Sequence, residues 1–267
     1  MKKTIYAVVA VVLSITSFAV SPANAESKSL VIIDSYFNMS ELQGSVTQVC
    51  VAPDNCVNKA KPSSLISDAS NHGTAMAKVA LKQNPSLSIV LVRASNVSAS
   101  GIVSGVNGNT FLSALQWVES NKSSIGAVSF SYSLSGNMTK IGDCKLSTSG
   151  STNIAVVDPK IRLSISTLRL AGIPVFAATG NNGPTKPVSY PACITDTNSV
   201  GAGVDGAYIP SSSRDTNTDI MGSLPSGTFS YNVNPLVPQT TSSATVAVAA
   251  KFVTDNAEAI GVVSVKP

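Results

Sequence analysis

The sequence predicts an α/β fold built on a mostly parallel sheet flanked by helices, and two features carry that expectation. Short apolar runs that do not alternate with polar residues recur along the chain, as in Leu30-Val31-Ile32-Ile33 and from Ile173 to Ala178. Strands read this way when both of their faces are covered, which is the situation in a parallel sheet with helices on either side. Between these runs lie segments with apolar residues at helical spacing, giving the strand–helix alternation of such folds.

In chain order, Leu30 to Asp34 is expected as a buried strand ending in a carboxylate, followed by a polar loop with the first two cysteines. His72 opens a helix in which Met76, Val79 and Ala80 share a face and which stops before Pro85; Leu87 to Val92 is the next strand. Ser98 to Asn109, rich in Gly, Ser and Asn, reads as a surface loop. Thr110 to Ser120 places Phe111, Ala114, Leu115 and Val118 at helical spacing, with Asn109 as its cap. Ala127 to Ser131 is a strand, and a Ser/Gly-rich stretch continues through Asn153. Asp158-Pro159 has the form of an N-cap followed by proline in the first helical position, and Gly172 stands where a C-terminal glycine belongs. After the strand Ile173 to Ala178, the last helix starts at Ser242 or Ser243 and runs to about Asp255. It is apolar on nearly every side from Ala244 to Ala250, which places it inside the domain. No repeat or linker divides the chain.

Residues 1–25 are expected to lie outside this fold. Lys2 and Lys3 precede an apolar run from Ile5 to Val20, and Ala23-Asn24-Ala25 ends ahead of Glu26. That is the form of a cleavable secretory signal, with an uncleaved membrane anchor as the alternative. Residues 26–267 then make one domain, secreted or periplasmic, with no membrane contact after cleavage. Without Lys2 and Lys3, 16 basic side chains face 14 acidic ones. So even a balance gives no reason to expect nucleic acid as a partner.

Cys50, Cys56, Cys144 and Cys193 all lie in the exported part. An even count in an oxidising compartment favours two disulfides. Three pairings are possible; the short gap favours Cys50 with Cys56, leaving Cys144 with Cys193. Their spacing fits no common zinc motif.

Three residues could carry chemistry. Asp34 closes the first strand, His72 lies in Asn71-His72-Gly73-Thr74, and Ser242 lies in Thr240-Thr241-Ser242-Ser243-Ala244-Thr245. Singly, each has a plain reading as turn former, surface histidine or N-cap. Together they supply the parts of a nucleophilic triad. A serine hydroxyl needs an imidazole to take its proton, and the imidazole needs a carboxylate to fix its tautomer.

With these motifs the sequence resembles the subtilisin-like (S8) peptidase family from about Leu30 to Ala259. Val31-Ile32-Ile33-Asp34-Ser35 is similar to the strand with the catalytic Asp, and Asn71-His72-Gly73-Thr74 to the histidine signature. Ala177-Ala178-Thr179-Gly180-Asn181-Asn182-Gly183 is similar to the segment with the oxyanion-hole Asn, which falls on Asn181. Thr241-Ser242-Ser243-Ala244-Thr245 is similar to the nucleophile motif, and Tyr190-Pro191-Ala192 also matches. The resemblance implies a three-layer sandwich and a serine endopeptidase acting on protein or peptide substrates. Ser242 is then the nucleophile, His72 the base, Asp34 its orienter, and Asn181 an oxyanion donor. It further implies a substrate-binding strand at Ser131, Tyr132 and Ser133, and a specificity pocket near Ala178, Thr179 and Gly180.

Two departures stand out. Thr240 replaces the usual glycine, a poor fit if that position needs a positive φ. Only Glu26 to Ser29 separate the expected cleavage site from the first strand, so no pro-segment is expected. His72-Gly73-Thr74-Ala75-Met76-Ala77 is similar to members that act as toxin subunits, which suggests a toxin-like partner subunit. A short loop after the His72 helix leaves no calcium loop, and neither metal nor cofactor is expected. The competing readings are a catalytically silent fold that binds a peptide or protein, and a nucleotide-binding domain using Gly101 to Gly108 or Gly180 to Gly183. Neither glycine set has dinucleotide or P-loop spacing.

Overall fold

Alternation along one strand sorts the interior into two cores. Strand β1 (Ser29–Asp34) sends Leu30 and Ile32 to one face of the sheet and Val31 and Ile33 to the other, all four fully buried. This computed structural model describes residues 28–52, 68–97, 103–134, 144–146, 153–204, 207–214, 218, 220–223 and 240–255. Strand β2 (Val46–Cys50) pairs β3 (Ile89–Arg93), which pairs β1. On its other side β1 pairs β4 (Ile125–Phe130), followed by β5 (Val175–Ala178) and β6 (Asn198–Val204). Strand β7 (Ala207–Tyr208) is antiparallel to β6, whereas β8 (Ile220–Ser223) and all the other pairings are parallel.

Helices cover both faces. Met76, Ala77, Val79 and Ala80 of α1 (Asp68–Gln83) and Ala244, Val246, Ala247 and Ala250 of α4 (Thr241–Thr254) pack on the Leu30/Ile32 face. Phe111, Leu115 and Val118 of α2 (Gly108–Ser120) and Val157, Ile161, Ile165 and Leu168 of α3 (Ile154–Leu170) pack on the Val31/Ile33 face. This is the three-layer arrangement expected from the sequence. Because side chains alternate, Asp34 follows Leu30 and Ile32 onto the α1/α4 face. Ser129 and Ser131 follow Ala127 onto the same face from β4. From β1 the chain passes to the edge strand β2, comes back to β3 between the two, and then crosses to build β4 and β5 on the other side of β1. Crevices for ligands open at such switch points, beyond the carboxyl ends of the strands.

Several expected boundaries move. The polar loop after Asp34 contains the edge strand β2, which ends at Cys50. His72 does not open α1 but is its fifth residue. The α2 cap is Asn107 rather than Asn109: the Asn107 side chain accepts from the Asn109 and Thr110 N–H groups, and the Thr110 hydroxyl answers the Asn107 N–H. Asp158 does not cap α3, and Pro159 lies inside that helix. The helix starts at Ile154 because the apolar residues before Asp158 already hold the helical face, with Val157 buried. Pro159 removes one N–H to the carbonyl of Ala155, which is exposed and open to water.

Asp158 instead binds sideways. Its Oδ1 accepts from the Leu146 N–H at 3.1 Å and its Oδ2 from Arg162 Nε at 2.8 Å. Arg162 also donates to the Cys144 carbonyl. Cys144 and Cys193 form the expected disulfide, so residues 144–146 are tied both to α3 and to the segment after β5. Cys50 is also disulfide-bonded, and Cys56 lies outside the described residues.

Burial pushes the Asp158 carboxyl up, but Arg162 and the Leu146 N–H outweigh it and hold it below the usual carboxylate range. Its contribution to stability is therefore complete above the unfolded-state value and is lost as pH falls through the lower folded value. Asp158→Asn is expected to destabilise by about 1–2 kcal/mol near pH 7, since charge-assisted bonds are replaced by neutral ones. In urea titrations the gap to wild type should close under acid. A gap independent of pH would mean that the carboxylate charge contributes nothing.

Candidate active site

A carboxylate with no access to water must find its donors inside the protein, and Asp34 is fully buried. Its Oδ1 accepts from the Ser35 N–H at 2.6 Å and the Ser35 hydroxyl at 3.2 Å. His72 Nδ1 faces both oxygens, at 3.0 Å from Oδ1 and 2.8 Å from Oδ2. An acceptor-only carboxylate on Nδ1 places the neutral ring's proton there and makes Nε2 the basic nitrogen. His72 reaches β1 because the next residue has no side chain. A Cβ on Gly73 would stand 2.4 Å from the Tyr36 carbonyl oxygen and 2.8 Å from the Phe37 ring. Thr74 secures the contact by accepting from the Asn38 N–H at 2.9 Å.

Tyr132 packs edge-on against His72, with ring centroids 5.8 Å apart. Burial raises its hydroxyl pKa, and the charge of Asp34 adds to the shift.

Ser242 is the second residue of α4, where the helix leaves its first N–H groups without internal partners. Thr240 caps the helix, accepting from the Ser243 N–H at 3.3 Å while its own N–H goes to the Ser243 hydroxyl at 3.1 Å. Its φ of −110° is extended backbone that any residue adopts, so the threonine is not strained there. The Thr241 N–H and hydroxyl both donate to Asn181 Oδ1 at 3.0 Å, and the Gly180 N–H donates to the Thr241 hydroxyl oxygen at 3.2 Å. With Oδ1 held by the helix, the NH₂ of Asn181 is the end left to face the cleft. The Ser242 N–H then remains, with no acceptor among the described residues.

Ser242 and Ser131 bond reciprocally. The Ser242 hydroxyl donates to the Ser131 carbonyl at 2.8 Å, and the Ser131 hydroxyl donates to the Ser242 carbonyl at 3.0 Å. These contacts pin the end of β4 to the start of α4.

One open cleft of about 360 Å³ joins these groups. His72, Ser242 and Asn181 stand at it together with Ser131, Tyr132 and Ser133 on one wall and Ala178 and Gly180 on the other. Asp34 lies behind His72. Thr179, expected in the pocket, does not line it: its side chain is fully buried and its backbone joins neighbouring segments. Asn182, Ser189 and Thr241 line the cleft without having been singled out in the sequence. Asn182 and Thr241 adjoin motif residues and could have been found that way; no sequence signal marks Ser189.

The model of the Subtilase family matches residues 29–253 of the chain. No curated protein matches it. Among solved structures, a lanthipeptide protease is 15% identical with a TM-score of 0.60, covering 85% of this chain and 72% of that one. A cold-adapted subtilisin-like serine proteinase is 19% identical with a TM-score of 0.55, covering 88% and 78%. The nisin leader peptidase from Lactococcus lactis is 17% identical with a TM-score of 0.55, covering 85% and 77%. At these identities the structures show a shared fold.

The approach at Gly73 is directly testable. Gly73→Ala should lower stability by about 1–3 kcal/mol, the usual range for overpacking, because the carbonyl it meets is backbone and cannot swing aside. Chemical denaturation measures this, and a change under about 0.5 kcal/mol, the range of ordinary surface substitutions, would show that α1 shifts freely.

Proposed function

The chain belongs to the subtilase family of serine peptidases, and on that premise we propose that it is a secreted endopeptidase working through Asp34, His72 and Ser242. The Ser242 oxygen attacks a peptide carbonyl carbon as its proton passes to His72 Nε2. The resulting oxyanion is held by the Asn181 NH₂ and the Ser242 N–H. Collapse breaks the C–N bond, and His72 returns the proton to the leaving amine. Water, deprotonated by His72, then cleaves the acyl-enzyme ester. Asp34 keeps the ring in place and stabilises its charged form.

The observation that best supports this reading is the pairing of donors at the start of α4. Asn181 has its oxygen tied back by Thr241, and the neighbouring Ser242 N–H has no acceptor among the described residues. Two donors at a helix N-terminus suit a developing negative charge. The Ser242 hydroxyl rests on the Ser131 carbonyl, so its proton must turn toward His72 before attack. A substrate backbone N–H competing for that carbonyl would release it.

The same resting bond is compatible with a silent, peptide-binding version of the fold, and labelling decides between them. The natural partner is a protein or peptide substrate; no observation supports a toxin-like subunit. Residues 1–25 are read as the secretory signal, and the Cys144–Cys193 disulfide suits the oxidising compartment that export implies.

A fluorophosphonate should label wild-type protein at Ser242. Ser242→Ala and His72→Ala should each reduce turnover roughly 10⁴–10⁶-fold, the range known for subtilisin itself, while the folded far-UV spectrum is kept. Retention of a tenth of wild-type turnover in either variant would remove the triad assignment.

Asn181→Ala should lower kcat ~10²–10³-fold with little change in KM, again the magnitude known for subtilisin's oxyanion asparagine. Asn181→Asp should be at least as harmful, since it sets a negative charge beside the oxyanion. Steady-state kinetics on both variants, with melting curves, is the check. A stability loss with kcat intact would make Asn181 a turn former only.

A further inference from the structure

We propose that Arg93 is a positioning residue for the Asp34–His72 pair. Its buried guanidinium braces the chain that follows Asp34, and its charge offsets that of the carboxylate, so that His72 stays an unprotonated base down to a lower pH. For its catalytic consequence this rests on the peptidase reading above.

Arginine is rarely buried, because its charge is costly to take out of water and needs partners once inside. Arg93 is 1% exposed and is the largest fully buried side chain among the described residues. It closes β3 as Asp34 closes β1, and the two are register partners across the parallel pair. Ile89 and Leu91 of β3 lie in the same core as Leu30 and Ile32 of β1. By the strand period Arg93 follows them to the α1/α4 face, as Asp34 does. Neighbouring strands lie about 4.8 Å apart. A permanent positive charge therefore stands one strand away from the buried carboxylate.

The guanidinium reaches the segment after Asp34 by two routes. Its Nε donates to the Ser95 carbonyl at 3.0 Å, and the buried Ser95 hydroxyl donates to the Ser35 carbonyl. Ser35 in turn supplies two donors to Asp34 Oδ1. The guanidinium also lies over the Tyr36 ring, with 5.5 Å between its carbon and the ring centroid. The carbonyl of Tyr36 is the atom that a side chain at position 73 would strike. Arg93 thus fixes both the residue that bonds the carboxylate and the one against which the His72 helix is seated.

The charge acts in a definite direction. A carboxylate beside an imidazole favours the protonated ring, and a nearby cation disfavours it. Asp34 alone would keep His72 protonated, and useless as a base, to higher pH. Arg93 opposes this while leaving Nδ1 on the carboxylate. Among the described residues, the other titratable groups that face the pair are Tyr36 and Tyr132. Burial pushes both hydroxyls up, so both rings are neutral where imidazole titrates. Cys50, the register partner of Arg93 on β2, is disulfide-bonded and carries no charge.

His72 is the only histidine in the sequence, so NMR can follow its titration without an assay of turnover. The experiment compares wild type with Arg93→Met and Arg93→Gln, which remove the charge, and with Arg93→Lys, which keeps it. In the neutral variants the His72 pKa should rise by about half to one pH unit, the effect of a unit charge about 10 Å away at an effective dielectric of about 20 or somewhat more. In Arg93→Lys it should stay within about 0.2 of wild type, since the charge remains. The acid limb of kcat/KM should move with the titration in every variant. A loss of bracing alone would lower stability and leave the titration where it was. Folded neutral variants with an unmoved His72, or a lysine variant that shifts as far as they do, overturn the proposal. If neither neutral variant folds, the lysine variant decides, and a shift there overturns it. Fluorophosphonate treatment of the same samples separates the two readings. Label and cleavage with an unmoved titration remove the role of Arg93 alone. A titration that moves in a protein with neither label nor cleavage removes the peptidase reading and leaves the effect of Arg93 on the ring.

Discussion

Burying a carboxylate without donors costs several kcal/mol, and the layout of this molecule follows from supplying them to Asp34. The strand period places it on the α1 side of the sheet, directly after the four apolar, fully buried residues Leu30 to Ile33. Ser35 satisfies one oxygen locally. The rest must come from another element, and only a helix crossing close over the chain just after β1 can bring an imidazole within 3 Å of both oxygens. That crossing requires Gly73, since any side chain there meets the Tyr36 carbonyl. Position, partner and the adjacent glycine are therefore one constraint.

The start of α4 obeys a similar accounting. Its early N–H groups are matched one by one: Thr241 to Asn181, Ser243 to the Thr240 side chain, and Ala244 to the Thr240 carbonyl. Among the described residues, the one left over belongs to Ser242. Threonine at position 240 fits this scheme because the backbone there is extended, so what looked like a loss of glycine freedom is an N-cap. The family's usual glycine would supply the same backbone path without the capping oxygen.

Most of this was legible in the sequence. The unbroken apolar runs marked the central strands because both faces are covered, and the ordered motifs brought Asp34, His72, Asn181 and Ser242 to one cleft. Local chemistry misled where tertiary contacts outbid it. Asp158-Pro159 reads as a helix start, yet Asp158 is turned aside by Leu146 and Arg162, and the apolar residues before it extend the helix. Strand β2 was hidden because it is a short run mixing Thr47 and Gln48 with Val46 and Val49, none of them fully buried, as an edge strand permits. Ser189 carries no motif of its own; its N–H is placed on the Thr179 carbonyl by the fold, which no local pattern records.

The two halves of the cleft differ in how they are held. His72 and Ser242 sit on helices whose positions the sheet dictates, whereas Asn182 and Ser189 belong to the connection between β5 and β6, braced by a disulfide and by hydrogen bonds. The resting bond of Ser242 joins the two functions on the proposed reading. A hydroxyl has one proton, and here it is given to the Ser131 carbonyl, not to a base. An extended peptide lying along residues 131–133 would present an N–H to that same carbonyl. On that reading, seating of the peptide frees the hydroxyl, so that binding along these residues acts on reactivity as well as on affinity.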